Sequence, residues 1–416
     1  MSPIFSFKEF GERLREFIRG CNEPTANMAA FGPALGSEFN RLALELFDLQ
    51  FKNNVPYRKL CERRGMSPAN VVSWQEIPAA PASAFKEFEF SCLGAREGTA
   101  VFHSSGTSEH RPSRHWHHTE SLAIYEASLW PWFQKHLLPE WTECSPSGRS
   151  QPAAPRLVML VPNPTQAPHS SLAYMCETIR RQLGAPDTIF LGSLSEDGAW
   201  TLDIAGALEV LQEGIELERP VLLLGTAFLF VHLLDSLEAR ALRVRLPPGS
   251  RVMETGGYKG RSRSLSKAEL HEWMDSILGV PENRVISEYG MSELSSQAYD
   301  SVASAHGAHA LLARSGERAA IGVPSSRAQG AFHFPPWARA QVISPESGRE
   351  VSDGETGLLR IFDLANVYSV LAIQTEDLAV RRGNRFELLG RAALAEPRGC
   401  SLMACEVSKE HLDEPA

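Results

Sequence analysis

The sequence predicts a layered α/β protein with a β-rich terminal subdomain and a short C-terminal tail. Three observations predict it. Two stretches of helical periodicity open the chain, short apolar runs alternate with amphipathic helical patterns through the middle, and from about Ala340 period-two alternation broken by turn signals takes over. With 416 residues, 43% of them hydrophobic and 22% charged, the chain can bury a substantial core and lies far from the composition of disordered proteins.

Taken in order, FSFKEFGERLREFIRG and SEFNRLALELFDLQFKN make residues 4–62 a helical entry region, and a Pro-punctuated segment around Ile77–Phe90 follows. From Thr99 a short apolar stretch leads into a Ser/Gly/Thr cluster at Ser104–Ser108, placed on a loop, and then into the helical pattern SLAIYEASLWPWFQKHLL. The Pro/Ser/Gly-rich stretch Glu143–Pro155 reads as an exposed connection. Beyond it RLVMLVPNP, DTIFLGSL and RPVLLLGTA are strand-like runs separated by helical patterns. Arg251–Arg263 and Arg284–Leu294 repeat a strand-then-loop theme on either side of the amphipathic SLSKAELHEWMDSILG, whereas Ala303–Gln329, rich in Ala, Gly and Ser, carries no legible element. The terminal strands are ARAQVISPESGREV, LLRIFDL and SVLAIQTEDLAVRRGNRFELLGR, with SDGETG as a turn. The expected organisation is one domain over residues 1–390, with 340–390 as its β-rich subdomain, and a tail over 391–416 too short for a further domain.

Composition excludes several function classes. A formal net charge of -9 argues against a duplex-binding surface, which needs clustered Lys and Arg to displace phosphate counterions. The long apolar run Val221–Leu234 is interrupted by Gly225, Thr226 and His232 and is too short to cross a bilayer. No export signal is visible in MSPIFSFKEFGERLREFIRG, and the seven cysteines lack CxxC spacing, so reduced thiols and a cytoplasmic location are expected.

Four segments could carry chemistry. Ser104, Ser105, Gly106, Thr107 and Ser108 gather hydroxyls and backbone amides into one turn, a workable cradle for phosphate oxygens, although no Gly-Lys-Ser/Thr follows and an ordinary surface turn has the same composition. Glu254–Arg261 joins Gly256 and Gly257 to the cations Lys259 and Arg261, which lets a planar ligand approach the backbone while charges face a polyanion; a tight strand-to-helix turn is the alternative. Tyr289, Gly290, Met291, Ser292 and Glu293 follow a β-like run, and a lone strand-end Glu among hydroxyls can hold Mg²⁺ together with substrate phosphates or serve structure alone. Asp377, expected at the end of an apolar strand, can accept two hydrogen bonds from a ribose diol, and turn chemistry explains it nearly as well. His115, His117 and His118 lack HEXXH or other ligand spacing and read as a polar strand or loop beside the hydroxyl cluster.

The order of these segments, with Gly390-Arg391 and RGCSL at 398–402 after them, resembles the adenylate-forming superfamily of acyl-CoA synthetases. Within it, IPAAPASAFKEF, SSLAYM, TGGYKGR, YGMSEL, QTEDLA and RGCSL are most similar to the acyl-protein synthetases of bacterial luminescence systems, the LuxE family. The resemblance spans nearly the whole chain beyond the first helices. It implies an adenylate-forming fold with ATP and Mg²⁺ as cofactors. Ser104–Ser108 would hold the ATP phosphates, Tyr289 and Gly290 flank adenine and acyl group, Glu293 bind Mg²⁺, Asp377 grip the ribose, and Arg391 sit at a hinge near ribose or phosphate. Two departures stand out: Ser108 is followed by Glu109, His110 and Arg111 where the family continues with Thr-Gly and a basic residue, and no room remains after Gly390 for the superfamily's large C-terminal domain with its catalytic lysine.

The expected reaction is activation of a fatty or other carboxylic acid as its acyl-adenylate, then capture of the acyl group by Cys400 as a thioester for a protein acceptor such as an acyl reductase. Lys259, Arg261 and Arg391 are the cations available to offset charge at the α-phosphate; Arg398 favours the Cys400 thiolate and Glu396 opposes it. Two other readings stand beside it: a ligase passing the acyl group directly to CoA or a carrier-protein thiol, and a non-catalytic nucleotide-binding partner. Val221–Leu234 would suit an acyl chain or the core equally.

Overall fold

The computed structural model describes residues 6–22, 28–94, 97–104, 111–142, 155–196, 198–256, 265–303 and 330–392. Three helices open it: α1 (Phe7–Cys21), α2 (Met28–Asn53) and α3 (Val55–Arg63). Ser6 starts α1 through a reciprocal capping box with Glu9, and the buried stripe Phe10, Leu14, Ile18 follows helical spacing. The short strand β1 (Ala80–Pro81) precedes a hairpin of β2 (Ala100–His103) and β3 (Arg114–His117), after which α4 (Thr119–Leu137) and α5 (Pro139–Thr142) lead into the central sheet.

The central region alternates strand and helix: β4 (Arg156–Met159), α6 (Ser171–Leu183), β5 (Ile189–Phe190), the hairpin β6 (Gly192–Leu194) and β7 (Trp200–Leu202), α7 (Ile204–Glu216), β8 (Val221–Thr226), α8 (Ala227–Ala239), β9 (Arg251–Thr255), α9 (Lys267–Leu278), β10 (Val285–Tyr289) and β11 (Ala298–Tyr299). Six of these strands form one sheet in the order β11-β10-β9-β8-β4-β5, parallel except for β11. All six residues of β8 and all five of β9 and β10 are buried; burial on both faces explains the near-continuous apolar sequence of β8, whereas β9 (RVMET) and β10 (VISEY) take buried polar residues with them. The run Val221–Leu234 is β8 and the start of α8, and its apolar side chains belong to the hydrophobic core.

The terminal subdomain is a second sheet. Strands β12 (Ala338–Ile343), β13 (Thr356–Asp363), β14 (Ala372–Arg382) and β15 (Arg385–Arg391) pair antiparallel in sequence order, as the alternation predicts. Asp377, however, is not at a strand's end: β14 runs on to Arg382. The apolar face gives out near Ile373, but the backbone ladder continues. One edge of β14 pairs with β1 at Ile373–Gln374 and passes to β15 from Asp377 onward, so Asp377 stands where the edge changes partner. Register shifts at Leu358/Arg360 and Leu378/Ala379 bracket the same place, and irregular pairing of this kind re-aims side chains next to sites.

Candidate functional site

Three elements meet at the C-terminal end of β10. The β2–β3 hairpin closes on Ser104 and Ser113: the Ser104 amide donates to the Ser113 carbonyl at 3.2 Å, and the Ser113 amide donates to Ser104 Oγ at 2.9 Å. That clasp fixes the base of the hydroxyl turn, of which Ser105, Gly106, Thr107 and Ser108 lie outside the described residues. From the hairpin, Ser113 Oγ lies 3.4 Å from Ser292 Oγ, and Ser292 Oγ donates to Glu293 Oε2 at 3.0 Å. His115 Nδ1 sits 2.9 Å from the Ser292 carbonyl, which can only accept, so Nδ1 carries the proton. Burial holds His115 neutral by pushing its pKa down to about 4, against the opposing pull of that bond.

Tyr289 reaches in the other direction. Its ring packs edge-on against Phe386 of β15 at 5.5 Å, and its hydroxyl donates to Asp377 Oδ2 at 2.8 Å. Asp377 is also 3.4 Å from Arg391 Nε, and Arg391 pairs with Glu376. The register places Arg391 directly across from Asp377. Met291 lies beside Tyr289, with Sδ 3.7 Å from its hydroxyl. Two runs of contacts result, Ser104–Ser113–Ser292–Glu293 and Tyr289–Asp377–Arg391, and the backbone through Gly290 and Met291 joins them. Gly256 ends β9 next door, with φ +83, a conformation that suits glycine; Gly257, Lys259 and Arg261 lie outside the described residues, as does Cys400.

The sequence reading overlooked two buried carboxylates. Glu288 immediately precedes Tyr289 and accepts from the Thr255 hydroxyl. A Cβ at position 290 would collide with Glu288 Oε1, which gives Gly290 its reason. Burial lifts Glu288 to about 7; the Thr255 bond opposes the rise and the Glu254 charge adds to it. Asp363, at the end of β13, is fully buried and accepts from the Ser295 and Ser296 amides and the Ser296 hydroxyl. The available signal is an acid within a strand-like run, Glu288 in VISEY and Asp363 in LLRIFDL, where burial demands hydrogen-bond partners.

The chemical repertoire is oxygen-rich. Glu293 and Ser292 offer a carboxylate and a hydroxyl at a strand's carboxyl end, the place where ligands of parallel α/β sheets gather. Among the described residues no group of three or more His, Cys, Asp or Glu is placed to hold a metal ion, and His118 caps α4 through its Nδ1, 3.3 Å from the Ser121 amide. A single carboxylate among hydroxyls does not suit a zinc cage but fits Mg²⁺ shared with substrate phosphates. Burial raises the thiols of Cys21 and Cys61 to about 11 and of Cys92 to about 12, so these three are poor nucleophiles at neutral pH.

No protein-family model matches the chain. Among curated proteins it is similar to a long-chain-fatty-acid–luciferin-component ligase of Aliivibrio fischeri, 28% identical over 91 residues. That match covers 20% of this chain and 24% of the relative, so the chain spans about a quarter of the length of the curated protein it matches. Among solved structures it is similar to a 2-hydroxyisobutyryl-CoA ligase in complex with 2-HIB-AMP and CoA in the thioesterification state, with a TM-score of 0.57 at 14% identity over 89% of this chain and 70% of that one. The same ligase in its postadenylation state with 2-HIB-AMP gives a TM-score of 0.56 at 13% identity, over 85% of this chain and 68% of that one. The layered α/β fold of this chain is that of the adenylate-forming ligases.

Proposed function

We propose that the protein activates a carboxylic acid with ATP and captures the acyl group on its own Cys400. The observation that carries this reading is the meeting of Ser104, Ser292, Glu293, Tyr289, Asp377 and Arg391 at the end of β10 in a chain with this fold. An acyl carboxylate oxygen attacks the α-phosphorus of ATP and pyrophosphate leaves, which converts a poor electrophile into a mixed anhydride. The Cys400 thiolate then attacks the acyl carbonyl and AMP leaves.

Each candidate residue has a task in this scheme. Asp377 accepts from the ribose diol, with its carboxylate aimed by Tyr289 and Arg391. Ser104–Ser108 cradle the β- and γ-phosphates, and Gly256, Gly257 and Gly290 let adenine approach the backbone. Tyr289 and Met291 wall the adenine and acyl side. Lys259 and Arg261, outside the described residues, are cations available to offset charge at the α-phosphate. Glu293, supported by Ser292, would hold Mg²⁺, which when bound supplies positive charge beside the phosphate oxygens. The acid is a long-chain fatty acid by the local sequence match, and the acceptor of the thioester is a partner protein such as an acyl reductase. Residues 1–390 form the adenylating domain and 391–416 the tail that presents Cys400.

Intact-mass measurement after incubation with ATP, Mg²⁺ and a panel of carboxylic acids tests the scheme. A hydroxylamine-sensitive acyl adduct that disappears in Cys400→Ala, with pyrophosphate exchange retained, is expected. Persistence of the adduct in Cys400→Ala would remove that cysteine from the scheme. Product formed on an external thiol with Cys400→Ala intact would show a ligase that bypasses self-acylation.

A further inference from the structure

We infer that Asp363 is a positioning residue for Glu293, acting through the segment that follows it; the inference rests on the nucleotide site proposed above. Asp363 is wholly buried at the end of β13, and its two oxygens accept four hydrogen bonds. Oδ2 takes the amides of Ser295 and Ser296 at 2.9 and 2.8 Å, while Oδ1 takes the Ser296 hydroxyl at 2.7 Å and the Ala365 amide at 2.9 Å. Three of the four come from residues two and three positions after Glu293.

The other end of Glu293 is held from the same loop of the subdomain. Asn366 Nδ2 donates to the Glu293 carbonyl at 3.0 Å and to the Val370 carbonyl at 3.1 Å. Gln50 of α2 locks that loop in turn, donating to the Asn366 carbonyl at 2.7 Å and accepting the Leu371 amide at 2.9 Å. With Ser292 Oγ on its own carboxylate, Glu293 is fixed by its side chain, its carbonyl and the amides downstream. Two buried backbone amides in an irregular segment would lack acceptors without Asp363, and a buried donor left unpaired is strongly unfavourable. A segment freed in this way re-settles, and a carboxylate displaced by about 1 Å no longer meets an ion at near-ideal octahedral distances.

A merely structural role and a positioning role separate by binding. The test measures by calorimetry the ratio of ATP affinity in excess Mg²⁺ to ATP affinity in EDTA, for the full chain and its variants, together with thermal unfolding. Asp363→Asn keeps the shape but turns an amide NH₂ toward backbone donors, and it is expected to lower the ratio about tenfold or more while leaving EDTA affinity within about twofold. Asn366→Ala, which releases the Glu293 and Val370 carbonyls but leaves the Ser295 and Ser296 amides bound, is expected to lower it less. An unchanged ratio in a folded Asp363→Asn overturns the inference. Should Asp363→Asn fail to fold, Ser296→Ala and Asn366→Ala decide by the same ratio: both unchanged overturns it, either lowered supports it. Wild-type protein that binds no ATP overturns the nucleotide site itself and this inference with it.

Discussion

At the scale of single residues, the site is a set of polar groups whose positions are set by partners distant in sequence. Tyr289 and Asp377 were legible as candidates because each follows a strand-like run, and ligands of α/β sheets gather at strand ends. Their mutual hydrogen bond was not legible, because 88 residues separate them and no local pattern encodes that pairing. Tyr289→Phe removes one bond to a charged acceptor, an effect of about 1.5–3 kcal/mol, and is expected to weaken ATP binding tenfold or more with the fold intact by circular dichroism; Asp377→Ala is expected to weaken it further. Glu288 makes a second prediction. Its folded pKa of about 7 stands above the ordinary 4.5, so the folded state holds the proton more tightly than the unfolded chain and stability falls as pH rises between those values. Glu288→Gln lacks that slope. Denaturant titrations at pH 5 and pH 8 should therefore show the variant gaining about 1–3 kcal/mol on wild type at the higher pH; parallel behaviour would mean that Glu288 titrates as an ordinary surface acid.

At the scale of elements, the strands of the terminal sheet were readable because alternation and Gly-containing turns act over a few residues, and β8 because a strand buried on both faces draws a near-continuous apolar sequence, VLLLGT. Two-residue strands escape such reading. Neither β1, which pairs with β14 nearly three hundred residues later, nor β11 carries a periodic signal, and the shared edge that redirects Asp377 follows from β1. The hairpin of β2 and β3 shows how an element serves the site. His115 projects from β3 into the core as a neutral donor to the Ser292 carbonyl, tying the hairpin to the segment that follows β10. His115→Leu leaves that buried carbonyl without its side-chain donor and is expected to cost about 1–3 kcal/mol in urea unfolding. It should also raise the KM for ATP in pyrophosphate exchange, whereas a loss of stability with unchanged KM would confine His115 to structure.

Across the whole molecule, two sheets and their helices close on one edge where β10, β14 and the hairpin meet, and the charge buried in that closure governs how the protein responds to acid. Burial pushes His115 and His136 down to about 4 and His333 to about 3, and holds His117 well below 6.5. In the unfolded chain all four take up protons near the usual 6.5, so their contribution to stability is present above that value and is lost as pH falls toward 4. Four histidines outweigh the opposing slopes of Glu288 and Asp363, whose carboxyls burial shifts upward, so thermal midpoints should climb steeply from about pH 4 to 6.5 and flatten or decline slightly above 7. A midpoint independent of pH in that range would contradict the buried neutral histidines. Among the described residues no helix is long and apolar enough to cross a membrane. The convergence of the nucleotide-facing groups makes one claim above all: that an acid oxygen attacks the α-phosphorus of ATP. Incubating the protein with ATP and a long-chain acid labelled with ¹⁸O in its carboxyl group tests this directly by mass spectrometry of the AMP released. One labelled oxygen in the AMP phosphate is the expected result; AMP formed without label, or pyrophosphate never released with any acid, would rule out attack of the acid on the α-phosphorus.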